Sequence, residues 1–301
     1  MYIEKNAKKT VAVVVTYNRK DLLLKNIAAL EAQTCKEALD ILIIDNNSTD
    51  GTYEALKSLI KNKQILYFNT GKNLGGAGGF NFGMKKAAKL NYEYMWIMDD
   101  DTIPLPSALE NLLKKDLELK GDYGFLASKV LWKDNSICKM NIPKINKWKK
   151  ITNFKYDGDI QYASFVSFFI PTKVVRKVGL PYKEFFIWSD DWEYSRRISK
   201  NFTCIYVPDS IVHHYSTSNV GADIVDAPSN RINRFKYLFR NDVVLYRLDG
   251  MEGKLYLSLR TIKYIGKILL KGKNKRQKLN IMFSALREGK NFYPKIEYIR
   301  D

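Results

Sequence analysis

The sequence predicts an α/β protein with a mostly parallel central sheet and a helical region after it. Two observations carry this. Short β-branched apolar runs, typical of strands buried on both faces, alternate with segments of helical periodicity over the first hundred residues. From about residue 228 the chain reads as helices.

VAVVVTY (11–17) is the first buried strand, and Asp21 to Ala32 follows as a helix with Leu22, Leu23, Ile27 and Leu30 at helical spacing. ILIID (41–45) is the second strand. NNSTDG then leads into a helix over Thr52–Lys61, and QILYFN (64–69) is the third strand. The Gly-rich residues 71–79 read as a loop entering a helix from Phe80 to Leu90, and EYMWIMDDD (93–101) is a fourth strand ending in three acids. This alternation argues for right-handed βαβ units. Ser107–Leu119 reads as a helix, and residues 121–180 as mixed, with short strands near 124–131 and 163–170. A loop from 177 precedes a helix from about Asp190. Residues 202–216 suggest one or two short strands, and 217–229 a linker.

The chain has 301 residues, 50 Lys+Arg against 32 Asp+Glu, and a net charge of +18. Its hydrophobic content of 46% excludes global disorder. The charge suggests a polyanionic partner: nucleic acid, an anionic membrane or a phosphorylated substrate. It is unevenly placed, since residues 221–301 hold 18 basic and 8 acidic residues, over half of the excess. We therefore expect a division near residue 220, with an α/β domain over 1–220 and a basic helical region over 221–301. Cys35, Cys138 and Cys204 fit neither a disulfide framework nor a zinc site, and suggest a reducing compartment. No apolar run reaches the roughly 18 residues that span a bilayer, and VAVVV is too short for a signal-peptide core.

In an open parallel sheet, ligands sit at the carboxyl ends of the strands. TYNR (16–19), DNNSTD (45–50) and DDD (99–101) all fall there. Each alone reads equally as a turn. Asp99 and Asp101, two positions apart, face the same way in extended chain. Their repulsion is costly unless a cation is bound, and such oxygens suit Mg²⁺ or Mn²⁺; a solvated acidic turn is the alternative. NLGGAGGFNFG (73–83) lacks both GxxxxGK(S/T) and GxGxxG, but its glycines allow close backbone approach to a ligand. In WSDDWE (188–193), acids at a helix start are either caps or, between two tryptophans, a general base beside a sugar ring. His213 and His214, the only histidines, are either structural or the completion of a metal site.

Six elements in order, VVVTYNR, IIDNNSTDGT, NLGGAGGF, WIMDDDTIP, FFIWSDDWEYSRR and VPDSIVHHYS, resemble family-2 glycosyltransferases of the GT-A fold over about residues 10–245. NLGGAGGF with DDD is most similar to the subgroup of bacterial galactofuranosyltransferases and rhamnosyltransferases, as is RFKYLFRN (234–241). The resemblance implies that Thr16, Tyr17, Asn18 and Arg19 border the donor nucleotide, and that Asp45 and Asn46 hold uracil or ribose. It implies that Asn73, Gly75, Gly76 and Gly78 line the donor pocket, with Asp99 and Asp101 at the metal-bearing positions and Asp100 between them. Asp191 matches the catalytic base. Asp190 and Glu193, flanked by Trp188 and Trp192, would hold the acceptor. A histidine is the third metal ligand, and His214 fits the spacing better than His213.

One base and one displacement imply inversion, whereas a retaining double displacement needs a second, close nucleophile. The implied donor is UDP-galactofuranose first and dTDP-rhamnose second. The implied acceptor is a glycan or a polyprenyl-diphosphate-linked sugar of cell-surface polysaccharide synthesis, reached from the cytoplasmic side of the membrane. Lys254 to Lys278 carry nine basic residues and no acid, beside an apolar stripe of Leu255, Leu259, Ile262, Ile265 and Leu269. Such a helix reads as a membrane-surface element or as one packed on the catalytic domain. A nucleic-acid-binding protein is the competing class, and it lacks a reading motif. Homo-oligomerisation is neither required nor excluded.

Overall fold

The structure, a computed structural model, describes residues 10–299. The residues before Thr10, ahead of the VAVVV run, lie outside the described ones. The described strands form one nine-stranded sheet in the order β3-β2-β1-β4-β8-β6-β9-β5, with β7 beside β9. They are β1 (Thr10–Thr16), β2 (Leu39–Asp45), β3 (Leu66–Asn69), β4 (Tyr94–Asp99), β5 (Thr102–Pro104), β6 (Leu126–Trp132), β7 (Gly158–Asp159), β8 (Phe168–Pro171) and β9 (Ile205–His214).

All seven residues of β1 are buried. Side chains alternate across a strand, so Val11, Val13 and Val15 join one core and Ala12 and Val14 the other. The first core is covered by α3 (Gly75–Lys89) through Phe80 and Met84. The second is covered by α1 (Lys20–Glu31), α2 (Thr52–Lys61) and α4 (Ala108–Glu118), through Leu23, Ile27, Leu56, Leu109 and Leu112. Each such fully buried aliphatic side chain contributes roughly 1.5–3 kcal/mol.

β3, β2, β1 and β4 are mutually parallel as expected, and β6 pairs in parallel with β9, but the strands between and beside them do not follow. β8 runs antiparallel to β4 and β6, and β5 antiparallel to β9. The sheet is therefore mixed beyond β4. Residues 202–216 give one ten-residue strand, β9, whose pairing with β6 jumps from Ser128↔Val207 to Lys129↔Ile211. Pro208, Asp209 and Ser210 are the extra residues of this bulge, and Pro208 suits such a break.

α5 (Thr172–Val178) and α6 (Asp190–Ser199) precede β9, and α7 (Phe235–Arg247), α8 (Gly250–Lys271) and α9 (Lys275–Lys290) complete the described chain. The expected linker is packed, since Ile224 and Val225 are buried with Phe235, Phe239, Ile268 and Met282. The buried Lys278 ammonium also donates to the Val225 carbonyl at 2.6 Å. Val244 of α7 shares a cluster with Ala77 and Phe185, and Leu245 and Tyr246 share one with Tyr162. The division at residue 220 is thus one of sequence character, while α7 packs into the first 220 residues. α8 is different, for only Gly253 and Ile268 are buried in its 22 residues. All three cysteines are free thiols, and among the described residues no helix is long and apolar enough to cross a membrane.

Candidate active site

The sheet register brings the three polar clusters to one edge. Thr16 at the end of β1 lies beside Asp45 at the end of β2, and Val15 beside Asp99 at the end of β4. The acids do not continue the strand, as their two-residue spacing assumed. Asp100 and Asp101 form a turn, because Thr102 must pair with His214 on the antiparallel β9.

Arg19 neutralises this turn. Its Nη1 donates to Asp100 Oδ1 at 3.3 Å and to Asp101 Oδ2 at 2.5 Å, while Thr16 Oγ1 donates to Asp100 Oδ2 at 2.8 Å. Burial pushes Asp100 up to about 6 against the pull of Arg19. Burial, with the charges of Asp101 and Asp100, pushes Asp99 up to about 8. Burial also disfavours the Asp101 carboxylate, but His214 and Arg19 outweigh it and hold Asp101 below its ordinary value.

The histidine doublet is separated by strand alternation. His213 faces outward, with Nε2 2.8 Å from Asn135 Oδ1. His214 is buried, with Nε2 3.2 Å from Asp101 Oδ1 and Nδ1 2.8 Å from Asn141 Oδ1. An Nδ1–H donated to Asn141 Oδ1 fixes the ring and turns the other ring nitrogen toward Asp101, as a partner behind a metal-bound imidazole does. Asp101 Oδ1 is buried and, apart from the His214 ring nitrogen 3.2 Å away, has no hydrogen-bond partner. Asp99 makes no hydrogen bond or ion pair among the described residues. Two carboxylates and an imidazole are donors of the kind that a hard divalent cation takes together with substrate oxygens. Among the described residues, no group of three or more His, Cys, Asp or Glu side chains is already placed to hold a metal ion.

The segment before α6 is shaped by three non-glycine residues with positive φ: Phe186 (66°), Trp188 (64°) and Ser189 (62°). Such conformations cost on the order of 1–3 kcal/mol each and need external support. α7 supplies it. Asn241 Nδ2 lies 3.0, 3.1 and 2.9 Å from the carbonyls of Phe185, Ile187 and Trp188. Asp242 accepts from Ser189 Oγ at 2.8 Å and from Arg260 Nε of α8 at 2.9 Å. This loop sets Asp190 and Asp191 at the start of α6, where the helix dipole favours acids. Burial nonetheless pushes Asp190 up to about 6. Burial and the neighbouring Asp190 raise Asp191 well above its ordinary value.

A cavity of about 600 Å³ joins these parts. Asp99, His214, Asp190, Asp191 and the tryptophans Trp188 and Trp192 all line it. Glu193 is not among the lining residues. Fully buried, it forms a bidentate pair with Arg197 at 2.9 Å on both arms, and Arg197 also holds the Val178 and Leu180 carbonyls. The helical spacing i,i+4 within α6 explains that pairing and takes Glu193 away from an acceptor.

The glycine run also reads differently once folded. α3 begins at Gly75, not Phe80. A Cβ on Gly79 would stand 2.5 Å from Val15 Cγ1, so that glycine seats α3 on β1. Gly75 has φ +72°, and a Cβ there would meet the Phe186 carbonyl. Gly78 packs on Leu74, and of the three glycines expected in the donor pocket only Gly76 faces the cavity. The remaining donor-side residues shape their own turns. Asp45 accepts from Ser48 N and Tyr67 Oη, each at 2.7 Å, and Asn46 Nδ2 donates to Gly75 O at 3.0 Å. Asn73 Oδ1 accepts from Gly75 N, Asn18 Oδ1 accepts from Thr49 N, and Tyr17 is exposed. Sequence reasoning missed Asn141, Asn241, Asp242 and Arg260. The available signal was an Asn-Asp pair on the buried face of an amphipathic helix.

The family model "Glycosyl transferase family 2" matches residues 11–179. Among curated proteins, galactofuranosyltransferase GlfT1 of Mycolicibacterium smegmatis is 35% identical over 104 residues, 34% of this chain and 33% of that one. A GalNAc(5)-diNAcBac-PP-undecaprenol β-1,3-glucosyltransferase of Campylobacter jejuni is 35% identical over 109 residues, 36% and 34% of the two chains. The match thus spans about a third of these relatives. Among solved structures, S. aureus TarS gives a TM-score of 0.59 at 13% identity, covering 94% of this chain and 44% of that one. GalNAc-T7 with UDP, GalNAc and Mn²⁺ gives 0.60 at 16%, covering 78% and 49%. Both are likenesses of fold, with the same mixed sheet of the GT-A type. Matched over more than half of its length, the chain belongs to glycosyl transferase family 2.

Proposed function

We propose that this glycosyltransferase is metal-dependent and inverting, moving galactofuranose from UDP-galactofuranose onto a glycan or polyprenyl-diphosphate-linked acceptor. The observation that carries the reading is the shared cavity. Asp191, a carboxylate raised well above its ordinary value, lines the same space as Asp99 and His214. The partial likeness to GlfT1 supports the sugar, and the Campylobacter relative's name supports a lipid-diphosphate acceptor. A rhamnosyltransferase using dTDP-rhamnose is the second reading.

Asp99, Asp101 and His214 would hold Mn²⁺ or Mg²⁺, which supplies positive charge to a departing diphosphate. Arg19 keeps Asp100 and Asp101 in place for that task. Thr16, Tyr17, Asn18, Asp45, Asn46 and Asn73 border the nucleotide. Asp191 takes the proton from the acceptor hydroxyl as it attacks the anomeric carbon from the face opposite the leaving group. Its raised value moves it toward neutrality, where a general base works best. Trp188 and Trp192 provide apolar faces against which sugar rings pack.

A thermal-shift panel of sugar nucleotides with Mn²⁺ tests this. Ligand at a hundredfold over Kd adds about 2.7 kcal/mol, so UDP-galactofuranose should raise Tm by several degrees and dTDP-rhamnose should not. His214→Ala and Asp101→Asn should abolish the Mn²⁺-dependent part of the shift. Stabilisation by dTDP-rhamnose alone would move the assignment to the second reading, and no shift with any sugar nucleotide would overturn both.

The exposed face of α8 extends the same reading. Met251, Leu255, Leu259, Ile262 and Leu270 are all exposed on a helix that also carries Lys254, Lys263, Lys267 and Lys271. An anionic surface attracts such a segment at about 1 kcal/mol per nearby basic residue. We place this face on the inner leaflet of a bacterial cytoplasmic membrane. The protein should co-sediment with phosphatidylglycerol vesicles in low salt and much less in 1 M salt. Absence of binding at both would remove the membrane role.

A further inference from the structure

Trp188 and Trp192 bracket Asp190 and Asp191, and each carries a cation from another part of the chain. The Lys144 ammonium lies 3.9 Å from the centroid of the Trp192 ring. The Arg234 guanidinium lies 5.6 Å from that of Trp188. Neither forms an ion pair with a carboxylate among the described residues, whereas the nearby Arg260 is matched by Asp242. Lys139 and Lys150 line the same cavity, with Lys150 Nζ donating to the Lys139 carbonyl at 3.2 Å, and neither forms an ion pair with a carboxylate among the described residues. The cavity is thus lined by the acids Asp99, Asp190 and Asp191 and by four cations, Lys139, Lys144, Lys150 and Arg234, that have no ion-paired carboxylate among the described residues.

Resting on the transferase reading above, we infer that Lys144 and Arg234, backed by Lys139 and Lys150, form a subsite for a phosphate or carboxylate carried by the acceptor, close to its receiving hydroxyl. The argument is one of solvation and geometry. Clustered cations in a partly closed cavity repel one another and lose hydration, and both costs are relieved when an anion accepts their hydrogen bonds. Burial, together with Arg260 and Lys150, pushes Lys144 down to about 7 against the opposing charges of Asp242 and Asp191. The position is on the acceptor side. Lys144 stacks on the residue immediately after Asp191, whereas the groups suited to a donor diphosphate lie with Asp99, Asp101 and His214 at the strand ends. An anion bound to these cations fixes the acceptor relative to Asp191 and excludes neutral sugars that lack the handle.

The two sources of such an anion are a lipid-linked diphosphate and an acidic sugar. Tryptophan fluorescence titrations of the full chain with geranyl diphosphate, methyl glucuronide and methyl glucoside separate them. At least one anionic probe should bind, the neutral glucoside at least tenfold more weakly, and the tighter anion names the source. Lys144→Gln and Arg234→Gln should each weaken that probe by about tenfold or more, the worth of one charged hydrogen bond. Sugar-nucleotide affinity and Tm should stay unchanged. Equal binding of neutral and anionic probes, no binding of either anion, or an equal loss of sugar-nucleotide affinity in the variants would overturn the subsite. Sugar-nucleotide binding by the unaltered chain is read separately, so failure of the subsite leaves the transferase reading standing, and failure of the latter is seen on its own.

Discussion

Asp191→Asn should lower kcat by about 10²–10⁴, the range removed with a general base, while sugar-nucleotide binding remains within twofold. The substitution keeps size and one hydrogen-bond acceptor. Trp192 N can therefore still donate to the side chain, as it does at 2.7 Å to the carboxylate. The turn before α6 is held by Asn241 and Asp242 from α7, so the loop need not rearrange. What is lost is the proton acceptor. The pH dependence follows with a definite sign. Burial and Asp190 raise Asp191, so the carboxylate forms only as pH climbs past that elevated value. Transfer by the unaltered protein should rise with pH along a limb displaced upward from an ordinary aspartate, and the variant should lose that limb. Transfer kinetics across pH 4–9 check both. A folded Asp191→Asn protein of full activity would exclude this residue as the base.

Arg197→Met should destabilise the fold by about 3–5 kcal/mol, the cost of leaving one partner of a buried ion pair alone. Glu193 has no exposed surface, and Arg197 satisfies both of its oxygens while tying down the Val178 and Leu180 carbonyls. Removal of the guanidinium strands a carboxylate and two carbonyls at once. The double change Glu193→Leu with Arg197→Met should recover much of the loss, because an apolar pair of similar volume carries no charge to solvate. Denaturant unfolding of the single and double variants measures the coupling. A single variant within 1 kcal/mol of the parent would mean that water reaches this pair.

These two residues also show what was legible beforehand. Asp191 could be read because its chemistry is local: two acids, two tryptophans and a helix start within six positions. Glu193 has the same local signature, yet its partner Arg197 on the same helix decides its role. Likewise β1 to β4 were readable from β-branched runs, since parallel strands buried on both faces leave a continuous apolar imprint. β5, β7 and α5 were not, because two to seven residues carry too little periodicity. The glycines of α3 looked like a ligand loop. Their spacing serves the closeness of helix and strand, which only the packed structure contains. Asn241 and Asp242 escaped for the same reason. Their partners lie more than fifty residues upstream in the chain.

The bulge of β9 has a consequence for how this site tolerates change in length. Three extra residues separate the two stretches that pair with β6, and side chains downstream alternate from there. If a length change there is passed on as a register slip, one residue added between Val207 and Ile211 would carry His213 to the place opposite Thr102 that His214 now fills. An imidazole would still stand beside Asp101. One residue removed would bring Tyr215 there instead and no imidazole. The doublet therefore buffers the site against insertions but not against deletions.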